Sequence, residues 1–252
     1  MNKNELKSFL DEKYLQYNQA NFIQDDPIQL PHRFKNKEDI EIVSFLVATI
    51  AWGNRKAIIK SGEKLIQLLN ENPHEFVMNY EGQPLTFVHR TFNAQDLSFF
   101  LLSLQNIYTK YGGLENAFAL EKGQNGVKQR IINFRKKFLE IPHDTRSDKH
   151  ISNPEKGSSA KRINMFLRWV VRNDGRGVDF GIWKSISPSE LYLPLDVHTG
   201  NISRKLGFTQ RKQDDWKTLE EIQTVLRKFD KNDPVKYDFA LFGLGVYDEL
   251  AE

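Results

Sequence analysis

Leu193-Pro194-Leu195-Asp196-Val197-His198, followed by Thr199-Gly200-Asn201-Ile202-Ser203-Arg204-Lys205-Leu206-Gly207, is the most informative stretch of the chain. It sets a carboxylate shortly after a proline, at the start of a short basic helix predicted over residues 196–206. An aspartate in this position commonly caps a helix, because its side chain accepts hydrogen bonds from the free N–H groups of the first turn. The pattern therefore predicts Asp196 as an N-cap, and a capping carboxylate can also face a pocket.

A second informative stretch lies upstream and reads Gly157-Ser158-Ser159-Ala160-Lys161-Arg162-Ile163-Asn164-Met165-Phe166-Leu167. Its small residues predict a tight hairpin, and its apolar residues predict a helix over 159–172. Small residues let consecutive backbone N–H groups approach an anion at a helix N-terminus, where the dipole also favours negative charge. The stretch thus places Lys161 beside a predicted anion-binding turn.

Lys161 and Asp196 together suggest a chemistry. A lysine amine can attack a sugar carbon, and a fixed carboxylate can stabilise the positive charge that develops on the sugar. This pair predicts an N-glycosylase centre. The alternatives are that Lys161 is a solvated surface lysine and that Asp196 only caps its helix.

The periodicity is helical almost throughout. The run from Ile40 to Trp52 is apolar on most sides, as in a buried helix, and Gly53-Asn54 separates it from a helix over 55–69. Asn93 is the predicted N-cap of the next helix, which ends at Gly112-Gly113. Further helices are predicted over 127–139, 159–172, 196–206, 214–229 and 234–244, with a loop over 144–156. Since no period-two strand set appears, the predicted fold class is all-α.

Composition narrows the class of protein. The absence of cysteine excludes disulfides, thiol catalysis and a cysteine-ligated iron–sulfur cluster. No apolar run is long enough to cross a bilayer and the first residues are polar, so we expect a cytoplasmic protein without a membrane partner. The net charge is only +3, but residues 121–176 carry 14 Lys/Arg against 6 Asp/Glu, an excess of 8. Such a band can release phosphate counterions on binding DNA, although a solvated helical surface is the common alternative.

The two stretches resemble the helix-hairpin-helix DNA glycosylases, the superfamily of endonuclease III and the 8-oxoguanine glycosylases. Pro194-Leu195-Asp196-Val197-His198 matches the family's Pro–apolar–Asp–(Val or Thr)–His motif, and Gly157 to Lys161 falls on its Gly-x-Gly-x-Lys hairpin, with Asn164 in register. The chain departs from the family at Ser159, the place of the second glycine, and at Asn201, where endonuclease III relatives usually carry Arg. The whole chain also resembles a bacterial family of about this length, for which the resemblance supplies no substrate.

The resemblance implies roles for particular residues. Lys161 and Asp196 would be catalytic. DNA contacts would come from the hairpin, from the motif histidine and from a turn that refills the gap left by a flipped base: Gly157, Ser158, Ser159, Arg162, His198, Asn54 and Arg55. The base pocket would be lined by four aromatic residues, for which core packing is the alternative: Trp52, Trp183, Phe239 and Phe242.

The resemblance further implies a two-lobed helical fold over 1–252, with one lobe formed by 1–90 plus 206–252 and a central lobe by 91–205. The implied activity is removal of a damaged base from double-stranded DNA. A Schiff base formed by the lysine would then permit strand cleavage. An oxidised purine is favoured by the resemblance of Pro194 to His198. It is also favoured by the separation of 35 residues between Lys161 and Asp196, because archaeal 8-oxoguanine glycosylases have a comparably lengthened connection. We expect a nucleoid-associated monomer that needs no cofactor and no metal.

Two other classes of protein compete with this prediction. A non-catalytic DNA-binding protein could retain the glycosylase scaffold without its activity, but such a protein need not keep both Lys161 and Asp196. An all-helical metal enzyme is disfavoured, because the six histidines are scattered and show no His-x-x-x-His spacing.

Overall fold

The computed structural model describes residues 1–247, and residues 248–252, the end of the predicted 206–252 segment, lie outside the described residues. Twelve α-helices, six short 3-10 helices and one hairpin of two-residue strands make up the described chain, which confirms the all-α class. The α-helices are α1 Lys3–Tyr17, α2 Ala20–Asp25, α3 Lys37–Ile50, α4 Arg55–Leu68, α5 Pro73–Met78, α6 Ala94–Tyr111, α7 Leu114–Ala117, α8 Gly126–Phe138, α9 Lys161–Val171, α10 Val197–Lys205, α11 Trp216–Phe229 and α12 Tyr237–Val246. The strands are β1 Val88–His89 and β2 Phe92–Asn93, paired antiparallel.

The chain divides into two compact units, one formed by residues 1–22 and 154–252 and the other by residues 23–153. These units group the chain differently from the predicted lobes, because the boundary at 153/154 cuts through the predicted central lobe. The physical reason lies in α12, which is almost wholly apolar and packs against both α1 and α10. Burial of α12 therefore gathers the N-terminal helix and the 154–205 segment around one core.

In the unit formed by 23–153, α3 is buried from Asp39 to Ile50, which confirms the buried helix predicted there. Phe45 of α3 contacts the rings of Phe100, Phe134 and Phe138 at centroid distances of 5.3–5.9 Å. The caps of α6 are also as predicted. Asn93 and Asp96 form a capping box, and Gly112 ends the helix with a φ of +72°, in the left-handed region that glycine tolerates best.

In the other unit, α9 is buried on all sides from Phe166 to Val171 and α11 buries one face. The largest fully buried side chains include Trp169, Trp183 and Trp216. Two charged side chains, Arg168 of α9 and Arg172 directly after its end, are buried with them. Buried charges occur where they are paired, and these arginines contact several carboxylates. The core of this unit is therefore part apolar and part ionic.

Two local features differ from the sequence-based expectation. The segment 144–156, expected to be a loop, contains two 3-10 helices, Thr145–His150 and Pro154–Lys156. No helix is predicted from the sequence before residue 40, yet α1 occupies this region with a capping box between Asn2 and Glu5. Only Leu10 and Tyr14 of α1 are buried, so its apolar periodicity is faint.

Candidate active site

Lys161 and Asp196 lie together in the structure. Lys161 is the first residue of α9, and Asp196 is the N-cap of α10. The Nζ atom of Lys161 is 3.5 Å from Oδ2 of Asp196, with side-chain exposures of 33% and 19%. Both side chains therefore retain surface on which a ligand can act, while their reactive atoms are within reach of one sugar-sized group.

Asp196 also caps α10, as the sequence predicts. Its Oδ1 accepts a hydrogen bond from the backbone N–H of Thr199 at 3.0 Å, and the Thr199 hydroxyl oxygen accepts one from the backbone N–H of Asp196 at 2.9 Å. This reciprocal capping box fixes the carboxylate on the helix end. Because Oδ1 is occupied by the cap, Oδ2 is the oxygen that faces Lys161.

The hairpin before α9 determines that the helix begins at Lys161. Gly157 has a φ of +87° and the buried Ala160 a φ of +50°, whereas Ser159 has an ordinary negative φ. The position at which the resembled family carries its second glycine therefore needs no glycine here. The Ser158 hydroxyl accepts a hydrogen bond from the N–H of Ala160 at 3.2 Å, and the side-chain amide of Asn164 donates to the carbonyl of Ser159 at 2.9 Å. These bonds hold the turn against the start of the helix.

The hairpin is also attached to α11. The N–H of Trp216 donates to the carbonyl of Gly157 at 2.9 Å, and Ser158 forms an isolated β-bridge with Asp215. On the helix side, Arg162 is partly buried, and this burial lowers the pKa of its guanidinium to about 10. Arg162 therefore stays cationic at neutral pH next to Lys161.

Two further predicted site residues lie where α10 meets α12. A hydrogen bond joins His198 Nδ1 to the carbonyl oxygen of Gly245 at 3.2 Å. The ring of Phe242 lies edge-on to His198 at 6.3 Å and is partly exposed. His198 thus ties the two helices together, and Phe242 is the predicted aromatic residue of this unit that retains accessible surface.

Trp183 and Phe239 are core residues in this structure, each 1% exposed. The ring of Trp183 contacts that of Phe166 edge-on at 5.3 Å, and the guanidinium of Arg168 lies 4.5 Å from the centre of the Phe239 ring. Neither ring presents a face to a ligand here. Trp183 and Phe239 are therefore placed as the alternative of core packing describes.

A buried ionic network next to this site was not predicted from the sequence. Arg168 donates to both Asp179, at 3.2 Å, and Asp238 of α12. Burial raises the pKa of the Asp238 carboxyl to about 6, the charge of Arg168 counteracts that rise, and the negative charge of Asp196 adds to it. Asp238 is therefore coupled electrostatically to the candidate catalytic carboxylate. The sequence signal that could have revealed this network is Arg168, a charged residue within the apolar part of α9, two turns after Lys161.

Trp52, Asn54 and Arg55 belong to the unit formed by residues 23–153, where Trp52 and Asn54 lie in the turn between α3 and α4 and Arg55 is the first residue of α4. Asn54 is the N-cap of α4, accepting from the N–H of Ala57 at 3.2 Å. The Trp52 ring lies edge-on to His89 at 5.2 Å and stacks on His150 at 6.1 Å. Trp52 is thus packed on histidines along part of its surface, and the turn after it is exposed.

Much of the basic band at 121–176 is already engaged within the fold. The cations of the band that contact carboxylates or backbone carbonyls include Arg130, Arg135, Lys137, Arg146, Lys161, Arg168, Arg172 and Arg176. Lys136 remains exposed. A count of charges along the sequence therefore overstates the basic surface that this segment offers to DNA.

The described residues 1–247 contain no cluster of three or more His, Cys, Asp or Glu side chains that could hold a metal ion. Over the same residues, no helix combines the length and apolar character required to traverse a bilayer. A family model described as "Protein of unknown function (DUF2400)" matches residues 26–247. No curated protein and no solved structure matches the chain.

Proposed function

The chain belongs to the DUF2400 family, whose description assigns no function, and we propose from its site that it is a DNA glycosylase with lysine-dependent lyase activity. The observation that carries the proposal is the 3.5 Å separation between Lys161 Nζ and Asp196 Oδ2. A nucleophilic amine and a fixed carboxylate at this distance are what base excision through a Schiff base requires.

The proposed reaction begins with the unprotonated amine of Lys161. Its lone pair forms a bond to C1′ of the target nucleotide, and the glycosidic bond breaks with its electrons leaving on the base, which takes up a proton. Asp196 stabilises the oxocarbenium character of the sugar and accepts the proton released by the attacking amine. Opening of the sugar ring gives a Schiff base with Lys161, loss of a C2′ proton expels the 3′ phosphate, and water then releases the lysine.

DNA contacts are assigned to the residues around this pair. The backbone N–H groups of Ser158 and Ser159 precede a helix whose dipole favours an anion, which suits a phosphate. The N–H of Gly157 donates to the carbonyl of Pro154 at 3.1 Å, so Gly157 shapes the turn and does not donate to a phosphate. Arg162 adds a cation, His198 lies in the first turn of α10, and Phe242 offers a partly exposed ring for stacking on a flipped base. In the other unit, Asn54 and Arg55 are proposed to contact the duplex, with Trp52 as a further stacking residue.

The finer parts of the assignment follow the resemblance. We propose the helix-hairpin-helix glycosylase architecture without an iron–sulfur cluster, the chain having no cysteine. The substrate would be double-stranded DNA carrying an oxidised purine, the protein would act as a monomer, and its place would be the cytoplasmic nucleoid.

The test is covalent trapping with borohydride on duplexes that each carry one lesion, including an oxidised purine and an abasic site. Wild-type protein is expected to give a covalent adduct on one or more of them. Lys161→Gln should abolish the adduct while keeping duplex affinity within about twofold. An undiminished adduct with Lys161→Gln would place the nucleophile at another residue.

The second candidate function is a non-catalytic DNA-binding protein. The pairing of Lys161 with Asp196 at 3.5 Å argues against it, because a protein that only binds DNA need not keep both residues. Duplex binding by wild-type protein, with no adduct and no base release on any lesion, would favour this second function.

A further inference from the structure

An exposed row of cations runs along α4, the helix that begins at Arg55. Lys56, Lys60 and Lys64, here called the lysine stripe, are spaced four residues apart and are all exposed. At 100° per residue the centre of the stripe lies about opposite the buried face of the helix. That buried face consists of Ile58, Gly62, Leu65 and Ile66.

The ammonium groups of the stripe make no hydrogen bond or ion pair to any residue from 1 to 247. The acidic residue of the same helix, Glu63, is engaged elsewhere, because Arg33 donates to both of its carboxylate oxygens, one of them at 2.7 Å. The first turn of α4 contains no acidic residue. The stripe therefore keeps its positive charge available for a partner.

The basic surface continues beyond the N-terminal end of α4. The exposed Arg90, in the turn between β1 and β2, has its guanidinium over Gly53, where an added Cβ would clash with it. Gly53 directly precedes Asn54, the N-cap of α4. Arg90 thus extends the positive charge of the stripe towards the turn between α3 and α4.

The positions of the three lysines destabilise α4 in the absence of a partner. Like charges four residues apart on a helix repel each other, and cations in the first turn oppose the helix dipole. Lys56 is in that first turn, and both pairs of neighbouring lysines have the repulsive spacing. Such a row is expected on a helix that meets a polyanion, which reverses the sign of both effects.

The geometry of the stripe favours a nucleic-acid strand over a membrane surface. Four residues of helix rise by about 6 Å, close to the separation of successive phosphates along one strand. An amphipathic helix that binds a membrane inserts its apolar face, whereas Ile58, Leu65 and Ile66 of α4 are at most 6% exposed.

We propose that the lysine stripe, extended by Arg90, is a second DNA-binding surface that contacts the phosphodiester backbone of duplex DNA independently of sequence. The inference rests on the proposed function, since it takes DNA as the substrate of the protein. It assigns duplex affinity to α4, whereas the Schiff-base chemistry is assigned to Lys161.

The experiment compares the full-length Lys56→Gln/Lys60→Gln/Lys64→Gln protein with wild type in binding an undamaged duplex over a range of salt concentrations. Each phosphate contact contributes about 0.9 to the slope of log K against log salt, so the triple variant should have a slope smaller by about 2.7. Lys60→Gln alone should reduce the slope by about 0.9. The matched control is Lys3→Gln/Lys228→Gln/Lys231→Gln, which removes three exposed charges elsewhere and should keep the wild-type slope.

An unchanged slope in the stripe variant, or no duplex binding by wild-type protein, would overturn the inference. Stripe-dependent binding to phosphatidylserine vesicles without duplex binding would also overturn it, in favour of a membrane surface. If stripe-dependent duplex binding is present but no borohydride adduct forms on any lesion, the proposed function fails and the lysine stripe stands.

Discussion

Asp196 presents one carboxylate oxygen to Lys161 and uses the other to cap its own helix. Oδ2 lies 3.5 Å from Lys161 Nζ, and Oδ1 accepts from the N–H of Thr199 at 3.0 Å. The cap fixes the direction in which the carboxylate points. The negative charge therefore takes its position when α10 forms. This arrangement gives the proposed chemistry an anion that is preorganised by its capping box with Thr199.

Asp196→Asn should slow base release while the protein stays folded. The amide is neutral and cannot stabilise the developing positive charge, and loss of one preorganised electrostatic group lowers a rate by about 10²–10³. Asn is nearly as good a cap as Asp, so the free energy of unfolding should fall by about 1 kcal/mol at most. The measurements are single-turnover base release and chemical denaturation.

The control for this variant is Thr199→Val, which removes the reciprocal half of the capping box and keeps the carboxylate. It should lower the free energy of unfolding by about 1 kcal/mol, with a much smaller effect on the rate than Asp196→Asn. Equal rates for Asp196→Asn and wild type would remove Asp196 from the proposed mechanism.

Gly157→Ala should destabilise the protein by about 1–2 kcal/mol through the backbone alone. Gly157 has a φ of +87°, and nothing lies within 4 Å of the position that an added Cβ would take. The neighbouring Ser159→Ala is the control, because Ser159 has an ordinary φ and should change stability by less than about 0.5 kcal/mol. Urea denaturation of the three proteins makes the comparison, and equal midpoints would show that the hairpin tolerates side chains at Gly157.

Asp238→Asn should change how stability depends on pH. Burial raises the pKa of Asp238 from its ordinary value of 3.8 to about 6 in the folded protein, so the native state holds this proton more tightly than the unfolded state. Its contribution to stability is therefore present below pH 3.8 and is lost as the pH rises through 6. Relative to Asp238→Asn, the wild type should lose up to about 3 kcal/mol between pH 4 and pH 7.

Asp174→Asn should change the pH dependence of stability in the opposite direction to Asp238→Asn. Burial opposes ionisation of Asp174, but the Tyr14 hydroxyl and the charge of Arg172 outweigh it and lower the pKa of this carboxyl to about 2. The stability that it contributes is present above pH 3.8 and is lost as the pH falls through 2. Thermal denaturation of the wild type and both variants from pH 3 to pH 7 separates the two cases, and parallel curves for all three proteins would contradict both assignments.

Gly243→Ala should destabilise the packing of α12 on α1. A Cβ at Gly243 would clash with the ring of Tyr17, and overpacking of a core by one methyl group costs about 1–3 kcal/mol. Shortening the opposing side chain should make room, so Tyr17→Leu combined with Gly243→Ala should recover part of the loss. Double-mutant analysis of the free energies of unfolding measures the coupling, and strictly additive effects would mean that the two positions do not meet.

The sequence by itself determined the elements whose signals are local. The α6 helix is bounded by Asn93, Asp96 and Gly112 because caps involve only neighbouring residues. The same holds for Asp196 as the cap of α10, and the apolar run of α3 predicted a helix buried on nearly all sides. The resemblance of their two motifs to the helix-hairpin-helix glycosylases nominated Lys161 and Asp196 as a pair.

Only the tertiary structure decided which distant residues meet. The 3.5 Å approach of Lys161 to Asp196 depends on how α9 and α10 pack, which no local pattern encodes. Side chains of one chemical type also differ in exposure, since Phe239 is enclosed in the core and Phe242 keeps an accessible surface. Among the cations, Arg168 and Arg172 are engaged in buried ion pairs, whereas Lys56, Lys60 and Lys64 remain exposed. Charge and apolarity are properties of the sequence, but their availability depends on packing between residues far apart in the chain.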